Sequence, residues 1–587
     1  MAKGEQIATT GPAGDIAPGG AQTGSKFSAQ PAGLGSQARP GFSPASLFRN
    51  LFSFNVLLAF LLLAAVAGTA YLNIQHAAGA PASDSEYAIF EGDTWWHLAV
   101  GEQILRTHTW PTSDQYSFSA PGDSWISYEW LGEVMIAAAD RLSGLTGMAL
   151  LLVSLGAGIV LLMYRYAYLR SGNAKAAFVA CALLLPLTVV FFTLRPQLLG
   201  YVFLLTTLIW LEKFRQGKQK TLWLLPPLFM IWVNVHGTFA FGLAALGLYW
   251  ASGLVDFRFG QIRSERWTEK QRRHLGLVML LSVAALIVTP YGTQLAANPL
   301  EIAFSQPAMV ASFQEWRAPG FGGTNGKLLL GVILLFLLLP FLVRLEYRLE
   351  ELGLLLFGVY AACVHMRFVI VLAMLFAPFL ATLIAPYAPP YDAHKDKPFL
   401  NLALIALVVF GCIRFFPSRS TLEKVVSHGF PSGAVAYLKQ HPSVGPVFNK
   451  EFWGGYLIEE LAPRQKVFID GRADLYEAAG VLTDYLSIMR LAPNTPFLLR
   501  KYQVRSCLIE PDSPLATLLA QSPDWRRAYS DGISVIFVRK TEAAAGVLLP
   551  AEHRVFITFG VDLKPTGGLP RLLLVTLPGV LCLHQLS

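Results

Sequence analysis

Seven consecutive residues, Glu91-Gly-Asp93-Thr-Trp95-Trp96-His97, hold two carboxylates, two indoles and an imidazole directly after the first long apolar run. Carboxylates within reach of each other can settle into different protonation states, as acid and base, or share a cation. His97 follows Asp93 by four residues, a spacing that puts both on one face of a helix, where the imidazole can orient the acid or contact a phosphate. Each residue also has a plainer use. Asp93 suits the N-cap of the helix that follows it, and Trp95 and Trp96 suit the headgroup belt of a membrane.

Other ionisable residues stand at comparable places. Asp114 and Asp123 flank a turn-rich stretch, Glu129-Trp130 opens a second amphipathic segment, and Glu315-Trp316-Arg317 lies between later apolar runs. Arg195, His236 and Arg367 each occupy a nearly uncharged connection between apolar runs. Ionisable groups at membrane depth are costly, which makes function the default reading, with snorkelling to the interface as the bland alternative for arginine. Arg195-Pro196-Gln197 and Asn234-Val235-His236-Gly237 read as helix ends opening into a cavity, where cations could stabilise a departing phosphate.

The elements that must position these groups are membrane helices. The chain has 587 residues, 54% of them hydrophobic and 14% charged, with a mean hydropathy of +0.47, too apolar for an ordinary soluble protein. Apolar runs near bilayer length occur at 51–72, 144–164, 176–194, 197–212, 221–235, 238–256, 275–289, 327–343, 351–364, 367–386 and 398–416, which predicts about eleven spans. Basic residues crowd alternate connections: Arg165, Arg170 and Lys175; Lys213 to Lys220; Arg258 to Arg273; Arg344 and Arg348; Lys395 and Lys397. Those connections belong in the cytoplasm with the N-terminus, and the intervening ones belong outside. The net charge of +8 is therefore a topology signal and gives no support for a nucleic-acid partner. The five cysteines have no spacing that suggests zinc or a disulfide framework.

Composition divides the chain further. Residues 1–46, rich in Gly, Ala, Ser, Pro and Gln, read as a disordered cytoplasmic tail. Residues 47–416 carry the spans, with a structured first outer loop at 73–143 holding two amphipathic helices, one from Asp93 and one from Trp125 to Leu142. Residues 417–540 alternate short β-type runs (Val447-Phe448, Lys466 to Asp470, Ser506 to Glu510, Ile533 to Arg539) with helical stretches at 432–440, 478–491 and 513–520, which predicts a soluble α/β domain outside the membrane. Residues 541–587 have no clear periodicity.

The first-loop acid, the many spans and the outward C-terminal domain together resemble the GT-C superfamily of membrane glycosyltransferases. Asp93-Thr-Trp95-Trp96-His97-Leu98, Trp110-Pro111-Thr-Ser-Asp114 and Trp125 to Leu131 look like a bacterial subgroup of it with unassigned substrates. The run Phe452-Trp453-Gly454-Gly455-Tyr456 is similar to the acceptor motif of oligosaccharyltransferases, but Gly454 stands where that motif has its acid, so peptide-sequon binding does not carry over. The resemblance implies a helical membrane fold, a polyprenyl-phosphate-linked sugar donor, and a catalytic acid in the first outer loop, with Asp93 matching and Glu91 as second choice. His97, Trp96, Asp114, Glu129, Arg195, His236, Glu315 and Arg367 are then substrate-binding candidates. The expected partners are the lipid-linked donor, a lipid, glycan or protein acceptor, and membrane lipids. The expected location is a bacterial inner membrane, with residues 417–540 periplasmic. No cofactor is specified; a divalent cation is compatible with the acids, but no ligand-spaced cluster demands one. A flippase of lipid-linked sugars, which should show paired repeats and broken helices, and a non-catalytic assembly protein of envelope glycan synthesis are the alternatives.

Overall fold

A computed structural model describes residues 43–79, 90–305, 307–342, 346–442 and 445–540. The predicted disordered tail lies outside the described residues up to 42, as does the stretch 541–587. The tail's boundary moves back, because Ser43 caps a helix at Pro44–Leu51, its hydroxyl oxygen accepting from the Ser46 amide at 3.1 Å.

Every apolar run contains helix, but most are too short to cross a bilayer. Four helices are long and apolar enough: Pro44–Gly79, Leu145–Ser171, Gln197–Arg215 and Met366–Tyr387. A fifth appears if Pro398–Arg414 and Arg419–Gly429, bent by 55° at their junction, count as one span. This corrects the expected eleven. Ala174–Val189, Lys220–Val233, Phe239–Ser252 and Thr324–Leu339 are apolar but short; at 1.5 Å per residue the 16-residue Ala174–Val189 helix spans about 24 Å of the roughly 30 Å hydrocarbon core. Local chemistry explains the shortfall. Pro226 and Pro227 lack amide donors, and the run there begins as a 3-10 turn (Gln219–Leu224) before Leu225–Val233 becomes α-helical. Glu269–Ala285 and Leu349–Val364 open on charged residues.

The helix bundle has two chemically different ends. At one, Arg170 pairs with Glu351 at 3.0 Å, Arg348 with Glu212 at 2.9 Å, and Arg215 with Glu350, while Asp396 accepts from the Phe54 amide at 3.0 Å. The basic connections identified in the sequence supply these residues. At the other end lie the helices Gly92–Thr107 and Trp130–Ser143, the turns at 193–196 and 234–238, and the 290–317 connection.

Residues 417–538 join this second end. Described residues up to Val538 form one compact unit. A four-stranded sheet runs in the order Val447–Asn449, Ser506–Ile509, Val535–Arg539, Trp525–Ser530. Its first pair is parallel, with Phe448 opposite Cys507, and its second antiparallel, with Cys507 opposite Phe537. The Lys466 to Asp470 run is not a strand. Val467 makes single bridges to Ser117 and to Val447, exchanging amide bonds of 3.0 and 3.1 Å with Phe118 and Tyr116. The loop after the first span is thereby stitched to the sheet.

The glycines of Phe452 to Tyr456 have a packing role. Helix Glu451–Leu461 crosses the start of Gly92–Thr107 so closely that a Cβ on Gly455 would collide with the Gly92 carbonyl, and one on Gly92 with the Phe452 carbonyl. Similarly, Gly101 admits the Glu133 backbone where the two first-loop helices cross.

Candidate functional site

Glu91, not Asp93, is the N-cap residue of Gly92–Thr107, and its amide donates to Thr94 Oγ1 at 3.2 Å. Asp93 is therefore free of the capping duty expected for it and projects from the first turn. Its Oδ2 lies 2.8 Å from Arg195 Nη2, and its Oδ1 accepts from Trp96 Nε1 at 3.0 Å. Trp96 also packs against His97, ring centroids 3.7 Å apart and tilted by 34°, so it contacts both Asp93 and His97. Trp95 faces the other way, buried against Phe430 and Tyr456.

Arg195 is the hub. The Arg-Pro step ahead of Gln197–Arg215 places its guanidinium among three carboxylates, with Nη2 on Glu91 and Asp93 and Nη1 on Glu315 at 3.0 Å. Glu315 also takes Arg367 Nη1 at 3.3 Å, while Arg367 Nη2 donates to Gln197 at 3.3 Å and its guanidinium covers the Trp316 ring at 4.3 Å.

The second half of the site is a ladder of acids and imidazoles. Ser127 bonds Glu133, Glu133 Oε1 lies 3.2 Å from His97 Nδ1, His97 Nε2 lies 3.6 Å from Glu129 Oε2, and Glu129 Oε1 lies 3.3 Å from His236 Nε2. The Thr238 amide donates to His236 Nδ1 at 3.0 Å. With Nδ1 accepting, a neutral His236 carries its proton on Nε2, the nitrogen 3.3 Å from Glu129 Oε1.

Burial controls the charges. It pushes the Glu129 carboxyl up to about 8 against the opposing pull of Arg367 and Arg195, and raises Glu133 well above the carboxylate range. It lowers His236 to about 3 and His97 well below the usual imidazole range, with Arg195 assisting in both. Burial also raises Glu91 and Asp93, against the pull of Arg195. At Glu315 burial acts upward, but Arg367 and Arg195 outweigh it and hold the acid below its ordinary value. His236 is thus a neutral N–H donor and not the cation expected from the sequence.

Of the ten candidate residues, nine fall in this connected cluster: Glu91, Asp93, Trp96, His97, Glu129, Arg195, His236, Glu315 and Arg367. Asp114 does not. It is buried beneath the loop, where it accepts from the Ser117 amide at 3.0 Å and the Ser117 hydroxyl at 2.7 Å and pairs with Arg472 at 2.8 Å. Arg472, fully buried, also grips Asp470 at 2.8 and 2.7 Å and lies over the Trp125 ring at 4.7 Å. The Asp470-Gly471-Arg472 turn abuts the site itself, since a Cβ on Gly471 would collide with Asp93 Oδ1. Gln197, Glu133 and Glu451 were not among the candidates. Glu451, raised to about 8 by burial and then by Asp93, comes from residues distant in sequence, so only its place before the Phe452 to Tyr456 run marked it.

The side chains keep limited openings, 22% exposed at Asp93, 23% at Glu129 and 32% at Glu315, so a substrate group can reach each. The acids that might share a divalent cation share the Arg195 guanidinium instead, and among the described residues no group of three His, Cys, Asp or Glu is arranged to hold a metal ion.

No family model and no curated protein matches the chain. Among solved structures it is similar to the oligosaccharyltransferase of Archaeoglobus fulgidus tethered to an acceptor peptide containing the NVT sequon, with 11% identity over 82% of this chain and 74% of that one and a TM-score of 0.46. The apo form of that enzyme gives 11% identity, the same coverage and a TM-score of 0.42. The archaeal oligosaccharyltransferase AglB from Archaeoglobus fulgidus, in complex with an inhibitory peptide and a dolichol-phosphate, gives 11% identity over 76% of this chain and 69% of that one, with a TM-score of 0.41.

Proposed function

We propose that this chain is a membrane glycosyltransferase that moves a sugar from a polyprenyl-phosphate carrier to an acceptor hydroxyl. The observation that carries the reading is Asp93: a partly exposed carboxylate, aimed by Arg195 and Trp96, at the end of the helix bundle opposite the basic connections. Asp93 takes the proton of the acceptor hydroxyl as its oxygen bonds the anomeric carbon, and the carbon–oxygen bond to the lipid phosphate breaks with its electron pair leaving on the phosphate. Arg367 is the cation best able to meet that phosphate, because its two carboxylate and amide contacts are long, whereas the charge of Arg195 is offset by three acids. His236 adds a neutral donor. Basic connections are retained in the cytoplasm, which supports reading the basic end as cytoplasmic and Asp93 with the C-terminal segment as periplasmic, in a bacterial inner membrane. There the stitched C-terminal segment can present a lipid, glycan or protein acceptor.

The test is reconstitution. Purified protein in lipid nanodiscs, given a radiolabelled sugar on polyprenyl phosphate and an extract of envelope acceptors, should label an acceptor and release polyprenyl phosphate. Neither product from any donor would sink the reading.

A further inference from the structure

The connection between the helices Phe239–Ser252 and Glu269–Ala285 lies at the basic end of the bundle and folds into a small sheet. Phe257–Phe259 pairs antiparallel with Ile262–Ser264, which pairs parallel with Tyr347–Arg348. Two bonds close its base: Ser264 Oγ donates to the Ser252 carbonyl at 2.7 Å, and the Trp267 amide to that of Gly253 at 3.0 Å. Alternation along the strands gives this ribbon two chemically different faces. On one, Arg258 stands opposite Arg263, and both reach Glu346, at 2.8 and 2.7 Å. On the other, Phe259 stands opposite Ile262, and Ile262 beside Tyr347.

Tyr347 sets the depth of the apolar face. It is buried, its ring stacked on Phe379 with centroids 5.3 Å apart, and Phe336 lies at 6.4 Å. Phe379 stands about 20 Å along the 22-residue Met366–Tyr387 span, within the roughly 30 Å thickness of bilayer hydrocarbon. The face that carries Tyr347 therefore looks into the hydrocarbon layer from the basic end. Beyond the helices that face continues as exposed side chains, with Phe259 76% exposed and Phe257 open beside it. Leu254 and Val255, which lead into the ribbon, are exposed as well.

Charge on the same connection indicates which lipid covers this face. Residues 254–273 hold six bases and three acids. Arg258 and Arg263 share Glu346, and Arg273 pairs with Glu269. Among the described residues, no carboxylate lies within 4.0 Å of Arg266, Lys270 or Arg272. We propose that the 254–264 ribbon lies in the membrane interface at the basic end, with Phe257 and Phe259 among the acyl chains, and that Arg266, Lys270 and Arg272 select anionic phospholipid there. An anionic headgroup offers these bases a phosphate with no cation of its own, whereas a zwitterionic headgroup carries its cation with it. Apolar burial and attraction to anionic lipid act together in such interfacial elements. This binding surface lies away from Asp93 and does not depend on the transferase reading.

Photolabelling of the full chain in nanodiscs tests it. Phosphatidylglycerol with a photoactivatable acyl chain should place adducts on residues 254–262, mapped by peptide mass spectrometry. Phosphatidylcholine with the same acyl chain, at the same mole fraction, should give at least about fivefold fewer. The triple variant Arg266→Gln, Lys270→Gln, Arg272→Gln should bring the two lipids level. Phe257→Ser with Phe259→Ser should remove the adducts while leaving the melting temperature unchanged, since both side chains are exposed. Absence of lipid adducts on 254–262 in the wild type overturns the insertion, and equal labelling by the two lipids overturns the anionic selection. Chain-to-chain adducts at Phe259 in place of lipid ones overturn the proposal in favour of a contact between two copies.

Discussion

Replacing Arg195 with Gln removes one cation from a cluster of three carboxylates and two arginines. Glu91, Asp93 and Glu315 carry three negative charges, and Arg195 and Arg367 two positive ones. The variant therefore goes from one surplus negative charge to two, with Glu91 and Asp93 losing their guanidinium partner. Breaking a buried ion pair from one side costs ~3–5 kcal/mol, and the partial exposure of 19% at Glu91 and 22% at Asp93 places the expected loss toward the lower figure. The deficit must depend on pH. Arg195 lowers the titration of all three acids, so without it Glu91 and Asp93, already raised by burial, rise further above their unfolded values, and Glu315 loses part of the pull that holds it below its own. Stability of the variant relative to wild type then improves as pH falls through those raised values, because protonation removes the repulsion. Tryptophan fluorescence on heating, in one detergent from pH 5 to 8, should show Arg195→Gln unfolding several degrees below wild type at pH 7.5, with the gap narrowing at pH 5. Glu91→Gln in the same background should recover part of the loss. Equal unfolding temperatures at both pH values would refute the account of Arg195 as the hub.

Two further substitutions test how the C-terminal residues hold the site. Gly471→Ala drives a methyl into Asp93 Oδ1 and sets it 2.8 Å from Trp96 Nε1. Displacement of about 1 Å should cost transfer roughly a hundredfold with little change in unfolding temperature, as measured by turnover beside a melting curve. Arg472→Met leaves Asp114 and Asp470 buried without their cation and should destabilise the fold by ~3–5 kcal/mol, while Asp114→Asn, which keeps hydrogen-bonding oxygen and shape, should cost less; chemical denaturation of the two variants would show the order.

The loop after the first span was legible because its chemistry is local. Helix periodicity located the start of Gly92–Thr107 and the end of Trp130–Ser143 to within a residue, though it began the second helix five residues early at Trp125, and the sparsely charged connections singled out Arg195, His236 and Arg367, all of which meet near Asp93. The span count was not legible, since an apolar run reports hydropathy but not where Pro226 and Pro227 or a charged first turn cuts a helix short. Asp114 was misplaced for a different reason. Its partner Arg472 is 358 positions away, and no local pattern reveals that a loop carboxylate will be buried beneath a remote arginine. Capping misled at Asp93 because Glu91, a less usual cap, takes that position two residues earlier. The neutral state of His236 follows from burial, which sequence spacing does not report.

The most direct measurement is turnover of purified Asp93→Asn in the polyprenyl-phosphate transfer assay, beside wild type and with the melting temperature of both recorded. The substitution keeps the side chain's size and its hydrogen-bonding oxygen while removing the base, so the folded variant should transfer at least about a hundredfold more slowly. Wild-type turnover in a folded Asp93→Asn protein would contradict the assignment of this carboxylate as the group that activates the acceptor.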